Sequence, residues 1–386
     1  MRHKVLLVGT LSNRAINYVT GQSVIFDGVV DFFSHKYDVV TINVMDKGKY
    51  VRGSVAFLFS RVLQFLSIYI KIIWALITTK VEVVYYQSAL SGFGIKRDSI
   101  AIKIFSLFHV PVVAHQLGNV DLSLVLIGQK ALDEKLKRIV KSLRLILVEG
   151  EYMAKEYDKI DTPPNKVIII PNGYKEENKK EKVAKSYSQQ NPFKVFYLSN
   201  FIFTKGYFDV LKAMDILANK KMLTVDCCFA GRFYKSLDSN NNDEKNGTKE
   251  AFDDFVIEHH LENRVECLPG LFGEEKSDYF QKANVFVLPS YYVGEGQPMS
   301  ILEAMSYGCV PIVTRHGHIP MMVTDNNGCF VEAKNPDSIA DAIEHLIQNP
   351  DEYTLKSQQC IADFKEKFTY EKFMQSIEKC LNDAKR

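Results

Sequence analysis

No Cys-x-x-Cys pair occurs in this chain, and its seven cysteines (Cys227, Cys228, Cys267, Cys309, Cys329, Cys360 and Cys380) all lie in the second half. An odd total, with several members inside apolar runs, excludes a disulfide framework and a zinc site and fits buried thiols in a reducing cytosol. Asp-x-Asp is absent as well. The apolar run near the start is only Val5 to Val8, shorter than the core of a secretory signal, and no small-residue cleavage site follows. It reads as a first strand. The most apolar stretch, residues 54–78, is broken by Arg61, Gln64 and Lys71. It therefore falls short of the roughly 18 unbroken apolar residues of a spanning helix and reads as a helix packed on a sheet. The other reading is partial membrane contact, with Lys71 and the chain's one tryptophan, Trp74, at the interface. Nucleic acid is not an expected partner, because no recognition-helix, RNP or zinc-finger pattern is present.

What is present describes a globular protein. A chain of 386 residues with 24% charged and 46% hydrophobic residues fits two soluble domains. The net charge of +2 hides an asymmetry. Residues 1–173 hold 22 Lys and Arg against 14 Asp and Glu, or +8, while the remainder holds 26 against 32, or −6. A basic first half points to an anionic partner or to peripheral contact with an anionic membrane. Within it, residues 127–144 form an amphipathic helix carrying six Lys and Arg, suited either to solvent or to anionic lipid.

Residues 285–313 carry the strongest chemical signal. Val285 to Leu288 reads as a buried strand end closed by Pro289. A loop follows with Gly294 and Gly296 around Glu295, and Pro298 suits a first helical position. A helix from Met299 stops at Tyr307-Gly308, and a second apolar strand spans Val310 to Val313. Strand, polar loop, helix, strand is half of a doubly wound α/β domain, which binds ligands at the carboxyl ends of its strands. The helix start seats a phosphate, and Glu295 and Glu303 bracket it, where carboxylates can accept hydrogen bonds from sugar hydroxyls.

This stretch resembles the E-x7-E signature of the retaining glycosyltransferases of family 4, which have the GT-B fold. The resemblance implies that Glu295 touches a donor sugar and Glu303 the nucleotide ribose. It is met again at 194–206, where Lys205-Gly206 matches the end of the family's G-R-L-x3-K-G, whose basic residues hold the donor diphosphate. Ser199 replaces the glycine there and Asn200 the arginine, and Arg232, at the end of the next strand, is placed to restore the missing charge. Gly21-Gln22 stands where the family has a glycine-rich turn, and His115, expected straight after a strand, resembles its H-G step. Pro171-Asn172-Gly173 resembles the last turn of the first domain. His316-Gly317-His318-Ile319-Pro320 resembles G-G-I-P-E, with Met321 in place of the acid.

The implied fold is α/β, two doubly wound Rossmann-like domains facing across a cleft. The expected parts are residues 1–174 on the acceptor side, a linker at 175–192, a nucleotide-sugar-binding domain at 193–365, and a C-terminal helix at 366–386 packing back on the first. The implied activity is transfer of a sugar from a nucleoside diphosphate to a saccharide or lipid-linked saccharide, with retention, in the cytoplasm or at the inner face of the membrane. Glu295, His115 and Lys205 are the catalytic candidates. Gly21, Gln22, Asn200, Lys205, Arg232, Gly296, Gln297, Pro298, Met299, Ser300 and Glu303 are the donor-binding candidates. No cofactor and no metal are expected, since fixed donors can meet the charge on the leaving diphosphate. The alternatives are a nucleotide-sugar epimerase or phosphorylase of the same fold, and a non-catalytic polysaccharide-assembly or membrane-binding protein.

Overall fold

The computed structural model describes residues 3–13, 20–45, 55–89, 92–118, 130–176, 182–188, 191–233 and 248–385. The polar loop expected at 234–248 and the first residues of the basic helix, 127–129, lie outside these, Thr248 excepted. The chain forms two compact units, Met1–Asn172 with Glu371–Arg386, and Gly173–Tyr370.

The first unit holds a parallel sheet of β1 (Lys4–Gly9), β2 (Asp38–Asn43), β3 (Val83–Ser88), β4 (Val112–Gln116), β5 (Leu145–Val148) and β6 (Val167–Ile169), in the order β2-β1-β3-β4-β5-β6. Helices cover both faces, so β1, β3 and β4 are buried almost end to end and read as unbroken apolar runs. The helix Gly21–Lys36 starts where T-G-Q-S allows a capping box: Ser23 N–H donates to Thr20 Oγ1 at 3.2 Å and Thr20 N–H to Ser23 Oγ at 2.9 Å. Residues of the last helix, Tyr370–Ala384, complete this unit by burying Phe373, Met374, Ile377 and Leu381, and Glu378 accepts from Tyr37 Oη at 2.8 Å.

The second unit holds β7 (Phe193–Leu198), β8 (Val225–Gly231), β9 (Val265–Pro269), β10 (Val285–Leu288), β11 (Val310–Val313) and β12 (Cys329–Phe330), also parallel, in the order β12-β11-β10-β7-β8-β9. Its core is rich in aromatic rings, with Phe196, Tyr197, Phe201, Tyr207, Phe229 and Phe252 all buried. The stretch expected as a linker is anchored here where it is described: Lys185 N–H donates to Ser357 Oγ at 2.8 Å, and its ammonium donates to the carbonyls of Phe280, Gln281 and Ala283. At Lys185 the polar composition is used for anchoring, because its ammonium satisfies carbonyls at the end of the helix Gly273–Lys282. All seven cysteines are free thiols. Two elements have no clear forewarning in the sequence, the helix Glu151–Asp158 and the two-residue β12.

Candidate functional site

The strand order of the second sheet reverses between β7 and β10, so their carboxyl ends flank the position where doubly wound sheets take ligands. The chain leaving β7 turns through Phe203–Lys205 and reaches Gly206 at φ 78°. Glycine is required there twice over. That conformation disfavours a side chain, and a Cβ would lie 2.7 Å from the Pro289 carbonyl oxygen. The loop leaving β10 is thus stacked on the loop leaving β7, and Tyr291 N–H donates to Thr204 O at 2.8 Å.

This stacking brings together two residues 90 positions apart, with Lys205 Nζ 3.3 Å from Glu295 Oε1. Glu295 is only 5% exposed. Ser290 Oγ donates to its other oxygen at 2.5 Å, and Thr314, just past β11, donates to the Ser290 carbonyl. The Lys205 ammonium also lies 5.6 Å from the centre of the Tyr292 ring. A buried carboxylate needs such partners to be tolerated. Here they also set its direction. Ser290 lies in the same loop as Glu295 but has no role in the motifs read from the sequence, and Thr314 joins them from the end of the neighbouring strand.

Beyond this cluster Gln297 is buried, and the helix Met299–Ser306 begins at the expected residue, with Pro298 as its N-cap rather than in a first helical position. No side chain caps this helix. Its first N–H groups therefore form the kind of terminus that favours an anion. In the second turn Glu303 is buried, and Lys276, from the helix Gly273–Lys282, reaches its Oε2 at 2.7 Å. Lys276 was not foreseen either, since it stands in an ordinary charged run.

The third part of this edge is the pairing of β7 with β8. Ser199 N–H donates to Ala230 O at 3.1 Å and Phe201 N–H to Arg232 O at 2.7 Å, which sets Arg232 beside Asn200 on the neighbouring strand extension. Gly231 permits this approach, because a Cβ there would fall 1.8 Å from the Ser199 carbonyl oxygen. Farther on, His316 Nε2 lies 2.7 Å from Tyr292 O, and His318 is fully buried, its pKa lowered by burial to about 4. Met321 is 38% exposed.

Gly21, Gln22 and His115 belong to the first unit. Gln22 Nε2 donates to Leu117 O at 3.0 Å, and Gln87, at the end of β3, donates to Gln22 O at 2.9 Å, so Gln22 is tied to the carboxyl edge of that sheet. His115 is placed differently from the expectation. It lies within β4 rather than after it, is 0% exposed, and has Nδ1 2.6 Å from Tyr85 Oη. Burial lowers its pKa to about 3 and raises that of Tyr85, so a neutral ring accepts from the phenol. Its Nε2 has no hydrogen-bond partner among the described residues. In this arrangement His115 offers no exposed atom to a ligand. A residue missed in the sequence, Glu149, joins two of the motifs that were read: it accepts from Gly118 N–H at 3.0 Å and from Asn172 Nδ2 at 2.7 Å. Among the described residues no three His, Cys, Asp or Glu side chains come together as a metal-binding set.

The site in the second unit coincides with a family match. Residues 178–363 match the model of glycosyl transferases group 1. This segment is a glycosyl transferases group 1 domain. Solved structures resembling the whole chain include HepE of Anabaena in complex with UDP, 15% identical, covering 98% of this chain and 100% of that one with a TM-score of 0.70. Sucrose-phosphate synthase of Thermosynechococcus elongatus is 15% identical, with 99% of both chains covered and a TM-score of 0.72. The lipopolysaccharide outer core galactosyltransferase WaaB is 15% identical, covering 98% of this chain and 100% of that one at a TM-score of 0.67. At such identities the likeness establishes the fold alone, the GT-B architecture of two α/β units with six-stranded parallel sheets. No curated protein sequence matches the chain. Lys205, Glu295 and Glu303 all fall inside the glycosyl transferases group 1 domain.

Proposed function

We propose that this protein is a glycosyltransferase that takes a sugar from a nucleoside diphosphate and passes it, with retained anomeric configuration, to a saccharide or lipid-linked saccharide at the cytoplasmic face of the membrane. One observation carries the reading: the Lys205–Glu295–Ser290 cluster lies at the strand-order reversal of a glycosyl transferases group 1 domain. The HepE structures containing UDP and UDP-glucose make a uridine diphosphate sugar the first donor to test.

In this proposal the donor diphosphate lies on the N–H groups of Gly296, Gln297, Met299 and Ser300, with Lys205 as the mobile point charge. Asn200 donates one hydrogen bond, and Arg232 supplies the second positive charge. Charge grows on the diphosphate as the glycosidic bond breaks, and donors already fixed in place stabilise it most at that moment. Glu295, aimed by Ser290 and Lys205, accepts from hydroxyls of the sugar, and Glu303, oriented by Lys276, accepts from the ribose. Lys205 has a second consequence. Drawn toward the diphosphate, it loosens its hold on Glu295 and frees that oxygen for the sugar. Gly21 and Gln22 are the first unit's contribution to holding the donor. His115 holds Tyr85 and the end of β4 in position. The absence of Asp-x-Asp supports a site that works without metal.

A thermal-shift screen against UDP-, GDP- and ADP-sugars, with and without EDTA, tests this. The correct donor at a hundred times its Kd stabilises the fold by about 2.7 kcal/mol. The shift should persist in EDTA and disappear in Glu303→Ala. If no sugar nucleotide raises the melting midpoint of the unaltered protein, the proposal fails. Proton NMR of the first product formed on a lipid-linked acceptor reads the anomeric configuration directly.

A further inference from the structure

The helix Val55–Thr78 has apolar side chains on two opposite faces. Ile68, Ile72 and Ala75 are buried in the first unit. Phe59, Leu63, Leu66, Ile70, Trp74 and Ile77 are between 51% and 69% exposed. At 100° per residue these six fall within about 80° of arc, centred opposite the buried three, and run about 27 Å along the axis. A face this long and this apolar is not the scattered exposure that soluble surfaces tolerate. The helix Gly92–Leu107 packs beside it, with Tyr69 Oη donating to Arg97 O at 3.2 Å, and adds exposed Ile100, Leu107 and, just beyond, Phe108.

Charge identifies what covers this face. The helix Val55–Thr78 contains no acid, and the one acid of Gly92–Leu107, Asp98, is buried and paired with Arg97 at 2.7 Å. The exposed charges on the two helices are Lys71, Lys96 and Lys103. A second copy docked on the same face would set like charges against each other, whereas anionic headgroups complement them. Trp74 is amphipathic in the way that suits a bilayer interface, and Lys71, on the polar flank of the stripe, can lay its stem on lipid and keep its ammonium among phosphates. The segment Phe59–Thr78 also passes for a membrane span by length and composition, with a mean hydropathy of 1.5. Spanning would strip Ile68, Ile72 and Ala75 from the core, so the geometry favours lying in the plane of the bilayer.

We propose that the outer face of Val55–Thr78 inserts in plane into the headgroup boundary of an anionic membrane, making the protein monotopic through its first unit. This site is distinct from the basic helix expected to dock from the sequence, and it stands whether or not the donor assignment holds.

Trp74 is the only tryptophan, so its emission reports this one position. Full-length protein is mixed with vesicles of phosphatidylcholine alone or with phosphatidylglycerol added. The expected result is a blue shift, quenching by brominated acyl chains, and co-sedimentation with the anionic vesicles. Ile70→Glu combined with Ile77→Glu should weaken sedimentation about tenfold or more. Leu355→Glu, at a residue 64% exposed in the second unit, should not change it. Lys71→Glu with Lys103→Glu should abolish the preference for anionic vesicles. Circular dichroism confirms that each variant keeps its fold. Unchanged Trp74 emission with both vesicle types overturns the proposal. So does equal binding to neutral and anionic vesicles, or a blue shift without lipid that grows with protein concentration, which would assign the face to a second copy.

Discussion

Lys276 lies 2.7 Å from the buried Glu303 carboxylate, and removing it takes away a positive charge that offsets the cost of burying that acid. Lys276→Ala should therefore cost about 3 kcal/mol and lower the melting midpoint by on the order of 10 °C in calorimetry. Lys205 is expected to act mainly on turnover: Lys205→Ala should lower kcat about 10²–10³-fold in a donor-hydrolysis or transfer assay, the scale seen when one donor to a developing anion is lost. The buried histidines make a prediction about pH. His115 and His318 have folded pKa values lowered to about 3 and about 4 by burial, well below the ordinary 6.5. The unfolded chain therefore binds protons that the folded one does not, and stability is full above pH 6.5. It falls as pH drops below 6.5 toward 4, by up to about 1.4 kcal/mol per pH unit for each ring. Urea unfolding at stepped pH reads this slope, and His115→Gln should flatten it.

The elements are held together at the site by two glycines, and the functional side chains depend on them. Gly231→Ala would drive a Cβ into the Ser199 carbonyl and separate β7 from β8 where Arg232 meets Asn200. A loss of about 2–3 kcal/mol in urea unfolding, together with a weaker donor-induced thermal shift, is the expected outcome. The strands at 285–288 and 310–313 could be read from the chain to the residue, because Pro289 and Gly308 mark where apolar runs stop. The helix Glu151–Asp158 could not, since it is only eight residues long and one of the three positions on its buried face, beside Met153 and Tyr157, is a charged residue, Glu156. Nor could β12, two residues recognisable only by their pairing with β11. The family motifs found Lys205, Glu295 and Glu303. They gave no role to Ser290, although it stands five residues from Glu295, and they could not find Thr314 and Lys276, whose partners are distant in sequence.

Across the whole molecule, the chain leaves its first unit at Asn172 and returns to it at Glu371. Ending the chain after Tyr370 should expose the apolar surface that Phe373, Met374, Ile377 and Leu381 cover. Hydrogen exchange should then show lost protection in β1–β4 while β7–β11 keep theirs. The same return places Phe373 6.0 Å from the His115 ring, ring centre to ring centre, closing that histidine off on one side.

What the sequence determined alone was everything that depends on local periodicity and stop signals: two α/β halves, the strand-loop-helix around Glu295, and the chemistry its residue types allow. Tertiary structure decided which groups meet and which are hidden. Lys205 touches Glu295 only because two strand ends lie side by side, His115 is buried because its strand is central, and Val55–Thr78 keeps one apolar face bare because the sheet can cover only the other. Contact and burial arise from packing distant segments, and no pattern along a single segment records them.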